Sequence, residues 1–115
     1  MLSCQGGHDL CARALLEAGA DLEVTVQGGN TALMICCQFG HDLCARALLE
    51  AKADLEAEDN DQVTPLNAAC YNGHEGCALL LLRAGAKPDA RDRFGDTPRS
   101  IAQQKKMIRA LALMQ

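Results

Sequence analysis

The residues of this sequence most able to do chemistry are cysteine and histidine, in a pattern Cys-x3-His-x2-Cys that occurs three times, starting at Cys4, Cys37 and Cys70. Thiolate and imidazole are preferred zinc ligands, and a cysteine beside a histidine can also form a nucleophile–base pair. The spacing therefore raises two hypotheses, a zinc- or redox-sensing protein and a thiol enzyme.

Core packing of these cysteines is the competing interpretation, and it is favoured. The three copies are one observation multiplied by a repeat, and no fourth ligand is evident within each copy. Free cysteine is among the most buried residue types and behaves as a small hydrophobe. We therefore expect no metal and no cofactor, with zinc or redox sensing kept as the alternative function.

Motifs of catalysis and of calcium binding are missing from the sequence. It has no supported Ser-His-acid set and no phosphate loop of the G-x-x-x-x-G-K type. The acidic run Asp54–Asp61 lacks the central glycine and the closing glutamate of a calcium loop. A Cys–His pair repeated three times also defines no single pocket, so we expect no enzyme activity.

Cysteine number and hydropathy bear on the compartment. The seven cysteines are odd in number and flanked by apolar residues, which favours reduced thiols in a cytoplasmic or nuclear protein. No run of 18 apolar residues occurs, and the N-terminus lacks the features of a secretory signal. We expect no membrane association.

The organising feature of the chain is a repeat of 33 residues. The segment Gly7–Ala18 recurs without change at Gly40–Ala51, and a diverged copy lies at Gly73–Ala84. A fixed period between about 20 and 50 residues is typical of a solenoid, in which each unit packs only on its neighbours.

Local signals predict two helices per repeat. Thr64 followed by Pro65 is a hydroxyl N-cap with proline at the first helical position. Leu66 and Cys70 then share one helix face, and Gly73 ends the helix where a left-handed residue is needed. A second helix and a charged, exposed turn complete the unit.

The Thr-Pro-Leu, Gly-His and Leu-Leu-x-x-Gly-Ala-Asp elements together resemble the ankyrin repeat family, over nearly the whole chain. The resemblance implies an all-α solenoid of stacked helix–turn–helix units with β-hairpin-like loops. It also implies a non-catalytic protein–protein interaction module, acting as a scaffold or adaptor.

Several residues depart from the family pattern. Met34, Asn67 and Ser100 replace the histidine that follows Thr-Pro-Leu, so we expect weaker bridging hydrogen bonds. Lys52 and Gln62 stand where other units have a turn glycine. A left-handed residue other than glycine costs about 1 kcal/mol, so these turns are predicted to be strained.

The repeat pattern predicts a single array with four parts: a truncated first unit at 1–25, full units at 26–58 and 59–91, and a polar C-terminal cap at 92–115. We expect the truncated unit to fray or to associate with another molecule. This favours a piece of a longer array, with further repeats N-terminal to it, over a stand-alone mini-array.

The partner surface follows from the resemblance, which implies a concave face lined by hairpin tips and first helices. By position this face comprises Gln27, Asn30, Gln38, Phe39, Asn60, Asp61, Val63, Tyr71, Asn72, Arg93, Phe94 and Asp96, with Gly28, Gln104 and Lys105 beside them. All three aromatic residues fall in this set, and aromatics are enriched at binding hot spots. We predict that Phe39 and Tyr71 bind a partner protein, and we leave Phe94 open between binding and packing.

Charge is divided unevenly along the chain. Residues 1–61 carry eleven acidic and three basic side chains, and residues 62–115 carry four and eight, giving net charges of −8 and +4. The acidic total argues against nucleic-acid binding, and the polarity is expected to steer an oppositely polarised partner. Within the basic half, Leu79–Leu82 are interpreted as packing residues, with a convex partner patch as the alternative.

Overall fold

The computed structural model describes residues 27–114, so the expectations for the truncated unit 1–25 lie outside the described residues. Those residues form a short 3-10 turn and six α-helices, with no strand among them. The helices are α1 (Ala32–Phe39), α2 (Asp42–Glu50), α3 (Pro65–Tyr71), α4 (Glu75–Arg83), α5 (Pro98–Gln104) and α6 (Ile108–Met114). The all-α fold class is confirmed.

Threonine hydroxyls begin the first helix of each pair. The side chains of Thr31, Thr64 and Thr97 accept the backbone N–H three residues on, at 3.4, 3.2 and 3.1 Å. Pro65 and Pro98 occupy the first helical position, where no backbone donor is needed. The predicted N-cap at Thr64 is confirmed.

Left-handed residues end helices and form turns, and three of them are not glycine. Lys52 and Gln62 have φ of 71° and 62°, which confirms the expected strain at both positions. Lys106 has φ of 56° and occupies, 33 residues on, the position of Gly73 at 71°. The sequence reasoning missed Lys106, although alignment of the repeats would have shown it.

The six helices pack as two rows. α1, α3 and α5 pack in sequence along one row, α2, α4 and α6 along the other, and each first helix packs on its own second helix. The core between the rows is built from leucine, alanine and cysteine, including the fully buried Leu33, Leu48, Leu66 and Leu81. Leu79 is 6% exposed and belongs to this core, which confirms its interpretation as a packing residue.

Three residues replace the histidine of the family pattern, and their hydrogen bonds differ from one another. Asn67 is fully buried and donates from Nδ2 to the Ala90 carbonyl at 3.4 Å, while its Oδ1 has no partner among residues 27–114. Ser100 bonds only within its own turn, to Thr97, and Met34 is a buried apolar residue. Of these three side chains, Asn67 alone bonds to a residue of the next unit within the described part of the chain, and the weakening of the bridging bonds stays a prediction.

The last helix pair presents both polar and apolar groups to solvent. Gln103, Gln104, Lys105 and Arg109 are exposed, as expected for a capping unit. Ile108 is also exposed, at the position where the preceding pair has Glu75. The outer end of the array is thus less polar than its sequence suggested.

Two helix-ending glycines with the same backbone conformation provide a matched stability test. Gly40 and Gly73 have φ of 74° and 71°, but a Cβ on Gly40 would lie 2.6 Å from the His74 ring, whereas none of the described atoms lies within 4 Å of one on Gly73. We expect Gly73→Ala to lower the free energy of unfolding by about 1 kcal/mol, from backbone strain alone. Gly40→Ala should lose about 1 kcal/mol more because it displaces His74. Urea unfolding of both variants measures the difference, and His74→Ala should abolish it. Equal losses at the two glycines would contradict the role of His74.

Candidate partner-binding surface

The hairpin loops are shaped by two aspartates at equivalent positions. The Asp59 carboxylate accepts the backbone N–H groups two and four residues on, at 2.8 and 2.9 Å. Asp92 does the same at 2.9 and 3.0 Å. Because each carboxylate satisfies two loop donors, the tips that follow are held in one conformation.

Neighbouring hairpin tips are joined by backbone hydrogen bonds. Asn60 donates to the Gly28 carbonyl at 2.9 Å, and Arg93 donates to the Asp61 carbonyl at 3.0 Å. The Arg93 guanidinium also pairs with the Asp61 carboxylate at 3.0 Å and lies 5.6 Å from the centre of the Phe94 ring. The structure therefore brings four residues of the predicted set, Asn60, Asp61, Arg93 and Phe94, into one row, the hairpin row.

A second row is formed where the first helices end. Gln38 and Phe39 close α1, Tyr71 closes α3, and Asn72 follows it as the C-cap. Phe39 is 43% exposed and stacks on the His41 ring with centroids 6.3 Å apart. Because α1 packs on α3, these residues lie side by side in what we call the helix-end row.

Tyr71 connects the two rows. Its hydroxyl contacts the carboxylates of Asp92 and of Asp96, the latter at 2.8 Å, and its ring is half-buried against the core. Burial and then these two carboxylates raise the pKa of Tyr71 well above its ordinary value, so the phenol remains a neutral donor. The roles of Tyr71 and Asp96 as partner contacts stay predictions, and the contacts of the hydroxyl mean that replacing Tyr71 should also lower stability.

The remaining members of the predicted set precede the helix caps. Gln27 lies in the 3-10 turn Gln27–Gly29, and Asn30 and Val63 are half-buried at equivalent positions just before Thr31 and Thr64. The roles of all three residues as partner contacts stay predictions.

The five cysteines that the structure describes lie in the core. Cys37, Cys70 and Cys77 are buried thiols. Burial, reinforced by Cys37 and Glu75, raises the pKa of Cys70 to about 12. A hydrogen bond with Cys37 and then burial raise the pKa of Cys77, which also donates to the Asp42 carboxylate at 3.1 Å. Protonated, buried thiols are neither good nucleophiles nor ready metal ligands.

One cysteine pair departs from the expectation of free thiols. The structure joins Cys36 and Cys44 as a disulfide between α1 and α2, with their Cα atoms 6.1 Å apart. Both side chains are fully buried and face each other across the helix pair, at a separation that a disulfide can bridge. Across residues 27–114, no three Cys, His, Asp or Glu side chains converge in the manner of a metal site.

Thiol burial predicts a stability loss at alkaline pH. In the unfolded chain Cys70 ionises near pH 8.5, whereas in the folded chain it keeps its proton to about 12. Between these values the folded state binds more protons, so the free energy of unfolding should fall by up to about 1.4 kcal/mol per pH unit. Urea unfolding between pH 8 and 10.5 should show a steeper fall for the wild-type chain than for Cys70→Ala. Parallel slopes would mean that Cys70 ionises equally well in the folded state.

Two rows of paired short helices, with loops joined tip to tip, define a helical-repeat solenoid. A family model described as ankyrin repeats, in three copies, matches residues 1–92. The chain belongs to the ankyrin repeat family, whose members generally act as protein–protein interaction modules and typically are not enzymes. No curated protein matches this sequence. None of the helices formed by residues 27–114 is long and apolar enough to cross a membrane.

Proposed function

We propose that this chain is a non-catalytic module that holds a partner protein on the hairpin row and the helix-end row, which together form its concave face. The observation that carries the proposal is the pair of backbone bonds from Asn60 to Gly28 and from Arg93 to Asp61. These bonds join separate loops into one continuous surface. Little conformational entropy of the loops would therefore be lost when a partner binds.

Exposed aromatic rings support this assignment. Phe39 and Phe94 are 43% and 65% exposed, one in each row, while the core uses leucine, alanine and cysteine. Aromatic side chains are enriched at interface hot spots and dominate many interfaces energetically. Zinc or redox sensing, the alternative, gains no support from the buried thiols of the described residues.

A binding experiment on Phe39 tests the proposal. Proteins captured by the full chain are identified, and the affinity of each for purified variants is measured by calorimetry. Phe39→Ala should weaken binding by more than about 1 kcal/mol, which is at least fivefold in Kd. It should change the free energy of unfolding by no more than about 0.5 kcal/mol, because the ring is exposed.

Leu43→Ala is the matched control, because Leu43 is an exposed apolar residue of α2 outside both rows. It should leave binding unchanged. If Leu43→Ala weakens binding and Phe39→Ala does not, the partner binds elsewhere and the proposed surface is wrong.

A further inference from the structure

Two acidic side chains of the last hairpin, Asp92 and Asp96, are turned inward. Asp92 is only 5% exposed, and its carboxylate accepts two backbone N–H groups and contacts the Tyr71 hydroxyl. Asp96 is half-buried and accepts from the same hydroxyl. The charges of Asp92 and Asp96 are therefore engaged within the molecule, while the third acid of this hairpin, Asp89, is exposed but paired with Arg99 at 2.9 Å.

The basic side chains of the same region face solvent. Arg91, Lys105 and Lys106 are exposed, and the ion pairs formed among residues 27–114 do not include them. Arg93 is exposed as well, although its guanidinium forms an ion pair with the Asp61 carboxylate. The outward charge at this end of the array is positive because Asp92 and Asp96 face inward, Asp89 is neutralised by Arg99, and several bases have no carboxylate partner among residues 27–114.

These bases form a strip with defined ends. Arg91 and Arg93 flank the buried Asp92, and both of their side chains are exposed. Helix α5 starts at Pro98, and Lys105 caps its other end. A seven-residue helix is about 10 Å long, so roughly this distance separates Pro98, which follows the hairpin, from Lys105. We name Arg91, Arg93, Phe94 and Lys105 the basic strip.

The loop one repeat earlier has the opposite charge. Glu58 stands at the position of Arg91, and Asp54 at the position of Lys87. Glu58 is exposed, so a negatively charged ligand would be repelled from this neighbouring loop. Because the charge of the loop changes from negative to positive between one repeat and the next, such a ligand can lie only at the positive end of the array.

We propose that the basic strip binds an extended acidic segment of a partner protein, with one large apolar side chain of that segment packed on Phe94. This inference rests on the proposed function and specifies the chemistry of the partner. An extended chain advances about 3.3 Å per residue, so two acidic residues three to four positions apart would span the strip. A nucleic acid fits less well, because its continuous negative charge would extend over the acidic loop.

Selection of random 12-residue peptides on the full chain, by phage display, tests the partner chemistry. Enriched peptides should be net negative, with two acids three to four positions apart and an aromatic or large aliphatic residue. Their affinity, measured by fluorescence anisotropy, should fall more than tenfold in Arg91→Glu/Lys105→Glu. Their association should also slow as salt rises through physiological ionic strength, where the screening length is about 8 Å.

Arg83→Glu is the matched control, because Arg83 is an exposed base that ends α4 outside the basic strip. It should leave peptide affinity within twofold. Enrichment of neutral or basic peptides that still require Phe39 would overturn the acidic-segment proposal and leave the proposed surface intact. Peptides insensitive to both Phe39→Ala and the double charge reversal would overturn both. Tighter binding of a 12-residue thymidylate oligonucleotide than of any selected peptide would assign the strip to nucleic acid and overturn the proposal.

Discussion

Leu48→Ala is expected to lower the free energy of unfolding by roughly 2–5 kcal/mol. Leu48 is completely buried in α2 within the core between the two rows of helices. Its equivalents one and two repeats on, Leu81 and Met114, are also buried. Removing the side chain leaves a cavity in the core. Because each described helix pair has a buried side chain at this position, we expect the surrounding residues to move little into the cavity. Urea unfolding followed by circular dichroism measures the change.

The control lies on the same helix. Leu43→Ala removes the same atoms from a residue that is 56% exposed, and should change stability by no more than about 0.5 kcal/mol. The total stability of a domain is only about 5–15 kcal/mol, so the two outcomes are easily separated. A loss at Leu43 equal to that at Leu48 would mean that α2 presents a different face to the core.

Tyr71→Phe is expected to lower the free energy of unfolding by about 1.5–3 kcal/mol, the usual contribution of a hydrogen bond to a charged group. The variant keeps the ring but removes the hydroxyl that contacts Asp92 and Asp96, and so loosens α3 from the following hairpin. Tyr71→Ala should lose more, because it also removes apolar packing.

A double-mutant cycle separates this bond from other effects. If Tyr71 and Asp96 interact directly, Tyr71→Phe and Asp96→Asn should be non-additive, whereas Tyr71→Phe and Leu43→Ala should add. Above pH 10 the wild-type chain should also lose stability relative to Tyr71→Phe, since the raised pKa keeps the folded phenol protonated while the unfolded one ionises. A neutral Tyr71→Phe that nevertheless weakens partner binding would make Tyr71 a contact residue and not a structural one.

Much of the fold could be predicted because its signals are local. The N-cap at Thr64 and the left-handed turns at Lys52 and Gln62 depend on residues within four positions, and all three were predicted. The repeat added a second source of information, since a glycine in one unit marks the conformation required in the next. Lys106 could have been identified by the same comparison with Gly73.

The candidate surface was only partly predictable. Repeat position placed Phe39 and Phe94 on it, and both are exposed. Repeat position also predicted that Tyr71 is an exposed contact residue, because its equivalents Gln38 and Gln104 are exposed and polar. The repeat pattern describes what units share, so it says little about a side chain that only one unit has.

The sequence by itself determined that the chain forms paired helices in 33-residue units, since capping and backbone conformation are decided within a single turn. Only the tertiary structure decided which charges face outward. Tyr71 meets Asp92 and Asp96 across 21 and 25 residues of chain, and this contact holds these two acids inward. Arg91 and Lys105 are exposed, and none of the acidic groups among residues 27–114 forms an ion pair with them. Net charge can be counted from the sequence, but the charge that a partner meets depends on contacts between units that are distant along the chain.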